Sequence, residues 1–127
     1  MISKPSKPLP ELPIILDSVM VLTAPAVVRE LTEDLGAQLV AAIAGVGETR
    51  RVRAWERGET PQRLDVLRTA LQATRAIKAT SAVTTAKAWF LGCSTALEMV
   101  SPLEVLRENT PESRTQVLRA AVAFALR

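Results

Sequence analysis

A chain of 127 residues that is 48% hydrophobic can bury one core, but only 3% of it is aromatic; Ala, Leu and Val must fill the interior, which suits close-packed helices better than packed sheets. Histidine is absent and Cys93 is the single cysteine, which excludes a disulfide framework, a Cys/His zinc site and Ser-His-Asp or Cys-His catalysis within this chain. The net charge of +3 makes nucleic acid a reasonable partner, and no apolar run reaches the ~18 residues of a membrane span.

Residues 1–13, MISKPSKPLPELP, hold four prolines and read as a flexible Pro/Lys tail. The lysines are followed by prolines rather than an apolar stretch, so a signal peptide is not expected and the cytoplasm is the expected compartment. There, Cys93 would be a small, partly buried apolar residue. The next stretch, IILDSVMVLT, is rich in β-branched residues but has no strand to pair with; helix is favoured over an extended arm.

From Ala24 the periodicity is helical. Val28, Leu31, Leu35, Leu39, Val40 and Ile43 form one buried stripe, with a break at Gly36 and a sharp turn at Gly45-Val46-Gly47. Thr60-Pro61, Ser101-Pro102 and Thr110-Pro111 each place a hydroxyl N-cap before a proline suited to the first helical position. Ser101 and Glu104 add the spacing of a capping box. Leu64, Leu67 and Leu71, continued towards Ile77, line one face of the helix after Thr60; another covers TTAKAWFLG and stops at Gly92, and the last runs from Pro111 to about Arg127. The expected fold is all-α, with a softer boundary near residues 78–81.

The segment GVGETRRVRAWERGETP sets one of two tryptophans among arginines. On a helix turning about 100° per residue, Arg50, Arg53 and Arg57 share an arc of roughly 60°, with Arg51 further round, while Val52 and Trp55 point to the core. An apolar helix, a glycine turn and a second helix with outward cations make a helix-turn-helix pattern. Small residues such as Ala41 would let the helices approach, and the arginines would neutralise phosphates or bond guanine. The plainer alternative is a solvated face whose arginines pair with Glu48, Glu56 and Glu59.

Two stretches carry a family resemblance. VAAIAGVGETRRVRAWERGETPQRLDVLRTAL resembles the DNA-binding half of Xre-type regulators, matching at Trp55, Gly58, Pro61 and the Leu67-Arg68 pair. AKAWFLGCSTALEMVSPLEVLRENTPESRTQVLRAAVAFA is similar to the toxin-binding domain of the Xre/MbcA/ParS antitoxin family, at Ala88-Trp89-Phe90, Gly92, Leu97, Pro102, Leu106, Ala120-Ala121 and Phe124. The two halves stand in the family's order across roughly residues 35 to 127. The stretch from Gly45 to Gly58 departs from the pattern, its turn and second helix being one residue longer than the commonest Xre spacing.

The resemblance implies a helix-turn-helix region over residues 14–80, packed with a small helical toxin-binding domain over residues 81–127. It implies an antitoxin that blocks the NAD pocket of a RES-type toxin and represses its own operator. It implies a homodimer, a hetero-oligomer with the toxin, and no cofactor of its own. DNA contact would fall to Thr49, Arg50, Arg51, Arg53 and Arg57, and toxin contact to Trp89, Leu97, Met99, Val100, Pro102, Leu103, Arg107, Phe124 and Arg127.

From the residues themselves, Leu97, Leu106 and Phe124 read more readily as core than as contact. Of Trp89 and Phe90, adjacent on one helix, one should be core and the other interfacial. Arg107, Arg114, Arg119 and Arg127 are ordinary solvated cations unless they reach the toxin. Met99 and Val100, in a loop before a capped helix, are candidates for an interface. A stand-alone transcriptional regulator is the rival reading. Enzyme chemistry is the weakest, because Glu30, Glu33 and Asp34 lie on helical stretches with no nucleophile or base beside them.

Overall fold

The computed structural model describes residues 12–127, and these form an all-α fold. In chain order the helices are α1 (Leu12–Met20), α2 (Ala24–Leu35), α3 (Ala37–Ile43), α4 (Thr49–Glu56), α5 (Leu64–Lys78), α6 (Val83–Leu91), α7 (Pro102–Arg107) and α8 (Pro111–Ala125), with a 3-10 turn at Thr95–Leu97 between α6 and α7. Among the described residues the only β-type pairing is an isolated antiparallel bridge between Ser94 and Val100.

Helix α5 lies at the centre, packed against α1, α2, α3, α6, α7 and α8. Nine of its 15 residues are buried, so almost every turn has protein on several sides. Three of the nine are Ala70, Ala73 and Ala76, and α8 presents Ala120, Ala121 and Ala125 in the interior. Small side chains on both helices let them approach closely, and Leu67, Leu71, Ile77 and Phe90 supply the bulk around them. One continuous apolar cluster runs from Val19 to Ala121, so residues on both sides of the 78–81 boundary share it.

The other face of α5 is polar and organises α1. Arg68 Nη1 donates to the carbonyls of Val19 (3.1 Å) and Leu22 (2.9 Å), Gln72 Nε2 donates to Leu16 O (3.0 Å), and Arg75 Nη1 donates to Ser18 Oγ (2.7 Å). Positions 68, 72 and 75 stack on one helix face. Arg68 thereby joins Leu22 N on the Val19 carbonyl and also holds the carbonyl of Leu22 in the turn that follows α1. Arg75 also makes a bidentate pair with Glu30 of α2, both bonds 2.6 Å, and Lys78 pairs with Asp34 at 2.9 Å.

Two sequence expectations are corrected. The tail does not extend to residue 13: α1 starts at Leu12 with Pro13 in its first turn, where a missing N–H costs nothing. The part of that expectation covering residues 1–11 lies outside the described residues. Thr60-Pro61 does not start a helix either. Pro61 is buried, a turn through Gln62 and Arg63 follows, and α5 begins at Leu64 with no side-chain cap; proline's fixed φ serves a turn as well as a first helical position.

The other caps form. Ser101 Oγ accepts from Glu104 N at 3.2 Å, though Glu104 itself is exposed and returns no bond. The reciprocal box stands instead at Thr110 and Ser113, where each hydroxyl accepts from the other's backbone N–H. The expected break at Gly36 separates α2 from α3.

The hydrogen bonds from Arg75 hold the Glu30 carboxyl below its ordinary value of 4.5, against the opposing effect of burial. The unfolded chain therefore binds more protons on the acid side. The pair's contribution is present above about pH 4.5 and is lost as pH falls through the lower folded value. Arg75→Met should lower unfolding free energy in urea by about 1–3 kcal/mol at neutral pH, and the variant's stability should fall less steeply than the parent's below that pH.

Candidate functional site

Two surfaces collect the residues singled out by sequence. The first is built on α3 and α4. Helix α3 ends in a Schellman motif: Gly45 N donates to Ala42 O (3.1 Å) and Val46 N to Ala41 O (3.0 Å). Gly45 has φ of 76°, a conformation that a Cβ disfavours. Helix α4 ends the same way, with Gly58 N donating to Trp55 O and Glu59 N to Ala54 O, both 3.1 Å, and φ of 122° at Gly58.

Val52, Ala54 and Trp55 are the buried face of α4, which packs on α2 and α3, and Arg29 of α2 donates to Glu56 O at 2.8 Å. That anchoring turns Arg50, Arg51 and Arg53 to solvent. Thr49 is half-buried at the first turn, and Arg57 is exposed at the C-cap, one residue beyond the helix. Of the carboxylates expected to pair with them, only Glu48 does so among the described residues, 3.0 Å from Arg50 with both side chains mostly in water. A pair so exposed contributes little and leaves the guanidinium available.

The second surface lies at the end of α6. Phe90 is fully buried and Trp89 half-buried. Their rings meet edge to face at 5.1 Å, and Trp89 lies 6.3 Å from Phe124 of α8. Arg127 closes this end, its guanidinium carbon 3.7 Å over the Phe124 ring and its Nη1 donating to Phe124 O at 2.6 Å. Beside these rings opens a cleft of about 420 Å³, lined by Thr85, Ala88, Trp89, Cys93, Ser94 and Phe124 among others. Cys93 is exposed, a correction to the partly buried placement expected for it: it follows the helix-ending Gly92 at the mouth of the loop.

The loop after Cys93 is tied by Ser94 N to Val100 O (3.2 Å) and Met99 N to Ser94 O (2.7 Å). Inside it Glu98 and Met99 are consecutive left-handed residues with φ of 57° and 68°, neither a glycine. The Met99 side chain is 61% exposed. Leu97 and Pro102 are buried and support the loop from within, while Val100 and Leu103 are half-buried against the core. Arg107 is exposed at the end of α7, its carbonyl accepting from Arg63 Nη1 at 3.0 Å. Arg114 donates to Asn109 Oδ1 at 3.2 Å, and Arg119 is exposed on α8.

Sequence reading missed Leu91. It is 57% exposed and lines a second apolar groove of about 380 Å³ with Leu35, Leu39 and Leu103. Its place directly before a helix-ending glycine was the available signal. Among the described residues no group of three His, Cys, Asp or Glu side chains could hold a metal ion, and no helix is long and apolar enough to cross a membrane. No protein-family model matches the chain, and neither a curated protein nor a solved structure matches it.

The contrast between anchor and displayed charge is measurable. Trp55→Ala should cost about 3–5 kcal/mol in chemical denaturation. Arg53→Ala should stay within about 0.5 kcal/mol of the parent.

Proposed function

We propose that the chain is an antitoxin whose C-terminal half, residues 81–127, binds and neutralises a RES-type NAD-degrading toxin, and whose α3–α4 unit contacts operator DNA. The observation that carries this reading is Met99, an exposed apolar side chain held on left-handed backbone in a loop whose Ser94 and Thr95 line the Trp89–Phe124 cleft. A non-glycine residue in that region costs about 1 kcal/mol or more, and such strain gathers where a side chain must be presented. An exposed thioether gains about 25 cal/mol for each Å² that a partner covers. The resemblance of Trp89 to Phe124 to a toxin-binding domain points the same way.

In this reading Trp89, Phe124 and Met99 are the contacts, Arg127 stiffens the rim, and Leu97 and Pro102 hold the loop in shape. The chain acts in the cytoplasm, as a dimer within a larger complex with its toxin, by occupying a pocket rather than by chemistry. Glu30 and Asp34, which could have suggested catalysis, are engaged by Arg75 and Lys78.

A stand-alone regulator is favoured by the displayed arginines of α4 alone. The two readings separate on co-expression with the neighbouring gene product, scoring growth and cellular NAD. Met99→Asp should weaken toxin capture about 30-fold or more, the equivalent of a ~2 kcal/mol anchor, with the melting temperature little changed. Full protection by a chain truncated before Ser81 would leave the regulator reading in place. For the DNA arm, Arg50→Ala with Arg53→Ala should weaken operator binding and flatten its log–log salt dependence by about 0.9 for each phosphate no longer neutralised. An unchanged slope would leave those arginines a solvated face.

A further inference from the structure

Between the C-terminal half of α4 and the loop leading into α5 lies a recessed hollow of about 230 Å³. Arg51, Trp55, Glu59, Thr60, Gln62 and Arg63 line it, together with the Ala44–Val46 turn. Two guanidinium groups against one carboxylate leave its wall with a surplus of one positive charge. Thr60 and Gln62 add neutral donors.

Arg63 is held in place rather than merely nearby. Its Nη1 donates to Arg107 O at 3.0 Å, and its guanidinium lies over Gly45, where a Cβ would come within 3.0 Å of Nη1 and 3.2 Å of Cζ. The glycine that turns the chain between α3 and α4 thus also leaves room for the cation. Trp55 is 95% buried, being 5% exposed. This hollow is a cavity that Trp55 lines.

We propose that the hollow is a binding site for a compact phosphate-bearing molecule, held by Arg63 and Arg51 beside the Trp55 ring. Guanidinium forks suit phosphate oxygens, and charge-assisted bonds inside a recess are stronger than on an open face. The volume lies below the ~300 Å³ of drug-sized sites, which restricts the ligand to something about the size of a phosphate monoester or pyrophosphate. Arg51 and Arg63 line the recess and Arg50 and Arg53 do not, so the occupant proposed is a small free molecule, with a nucleic-acid backbone as the competing outcome of the test.

The test uses Trp55 as its own reporter. In a Trp89→Phe background, Trp55 is the single tryptophan, and the protein is titrated with inorganic phosphate and with pyrophosphate at constant ionic strength. A saturable change in its emission is expected with pyrophosphate and absent with sodium chloride. Arg63→Gln and Arg51→Gln should each weaken it about 10-fold or more. Arg51 is exposed and makes no bond that the fold needs, so its variant remains informative if Arg63→Gln unfolds, which circular dichroism would reveal. A response equal to that of chloride, or untouched by Arg51→Gln, overturns the proposal. So does a response to duplex DNA that pyrophosphate neither reproduces nor displaces, because the site would then belong to the nucleic-acid backbone.

Discussion

The rest of the structure depends on α5 having two incompatible-looking faces at once. One face buries Ala70, Ala73 and Ala76 in a core where α5 packs against α8, and van der Waals contact holds it. The other carries Arg68, Gln72 and Arg75, whose donors end on backbone carbonyls, a hydroxyl and a carboxylate of α1 and α2. Helix α1 needs this. At nine residues it is too short to persist alone, and it exposes Ile14 and Met20 while burying only Leu12 and Val19. Hydrogen bonds from α5 fix it where apolar burial would not suffice.

Much of the fold was legible because helix boundaries are written locally. Ser101-Pro102 and Thr110-Pro111 start α7 and α8, Gly36 divides α2 from α3, and Gly45 ends α3. Thr60-Pro61 carries the same local signal and failed, because burial of Pro61 and the turn after it settle the geometry there. Helix α1 was ambiguous for a related reason: its partners lie about fifty residues away on α5, beyond the reach of any windowed pattern.

The candidate surfaces were legible to different degrees. The orientation of α4 followed from a 3.6-residue period, and Trp55 and Val52 are buried with the arginines outside. The Met99 loop could be suspected from its apolar residues, but not its shape. Two successive left-handed residues without glycine leave no mark in composition; they are imposed by the bonds from Met99 N and Ser94 N that close the loop. Leu97 and Pro102, indistinguishable from Met99 by local pattern, are buried.

The α3–α4 turn and the C-terminal half are joined by one side chain. Arg63 reaches from the start of α5 over Gly45 and bonds the last carbonyl of α7 at Arg107. That carbonyl is one of those a helix leaves without a partner, so a cation there also complements the negative end of α7. The displayed arginines and the apolar loop are thus carried on elements that share a polar joint as well as a common core. A change at the joint would alter the seating of α4 and of α7 together. Side chains that reach across a fold in this way cannot be assigned to either half, and a reading of the protein as two independent modules would have to treat Arg63 as belonging to both.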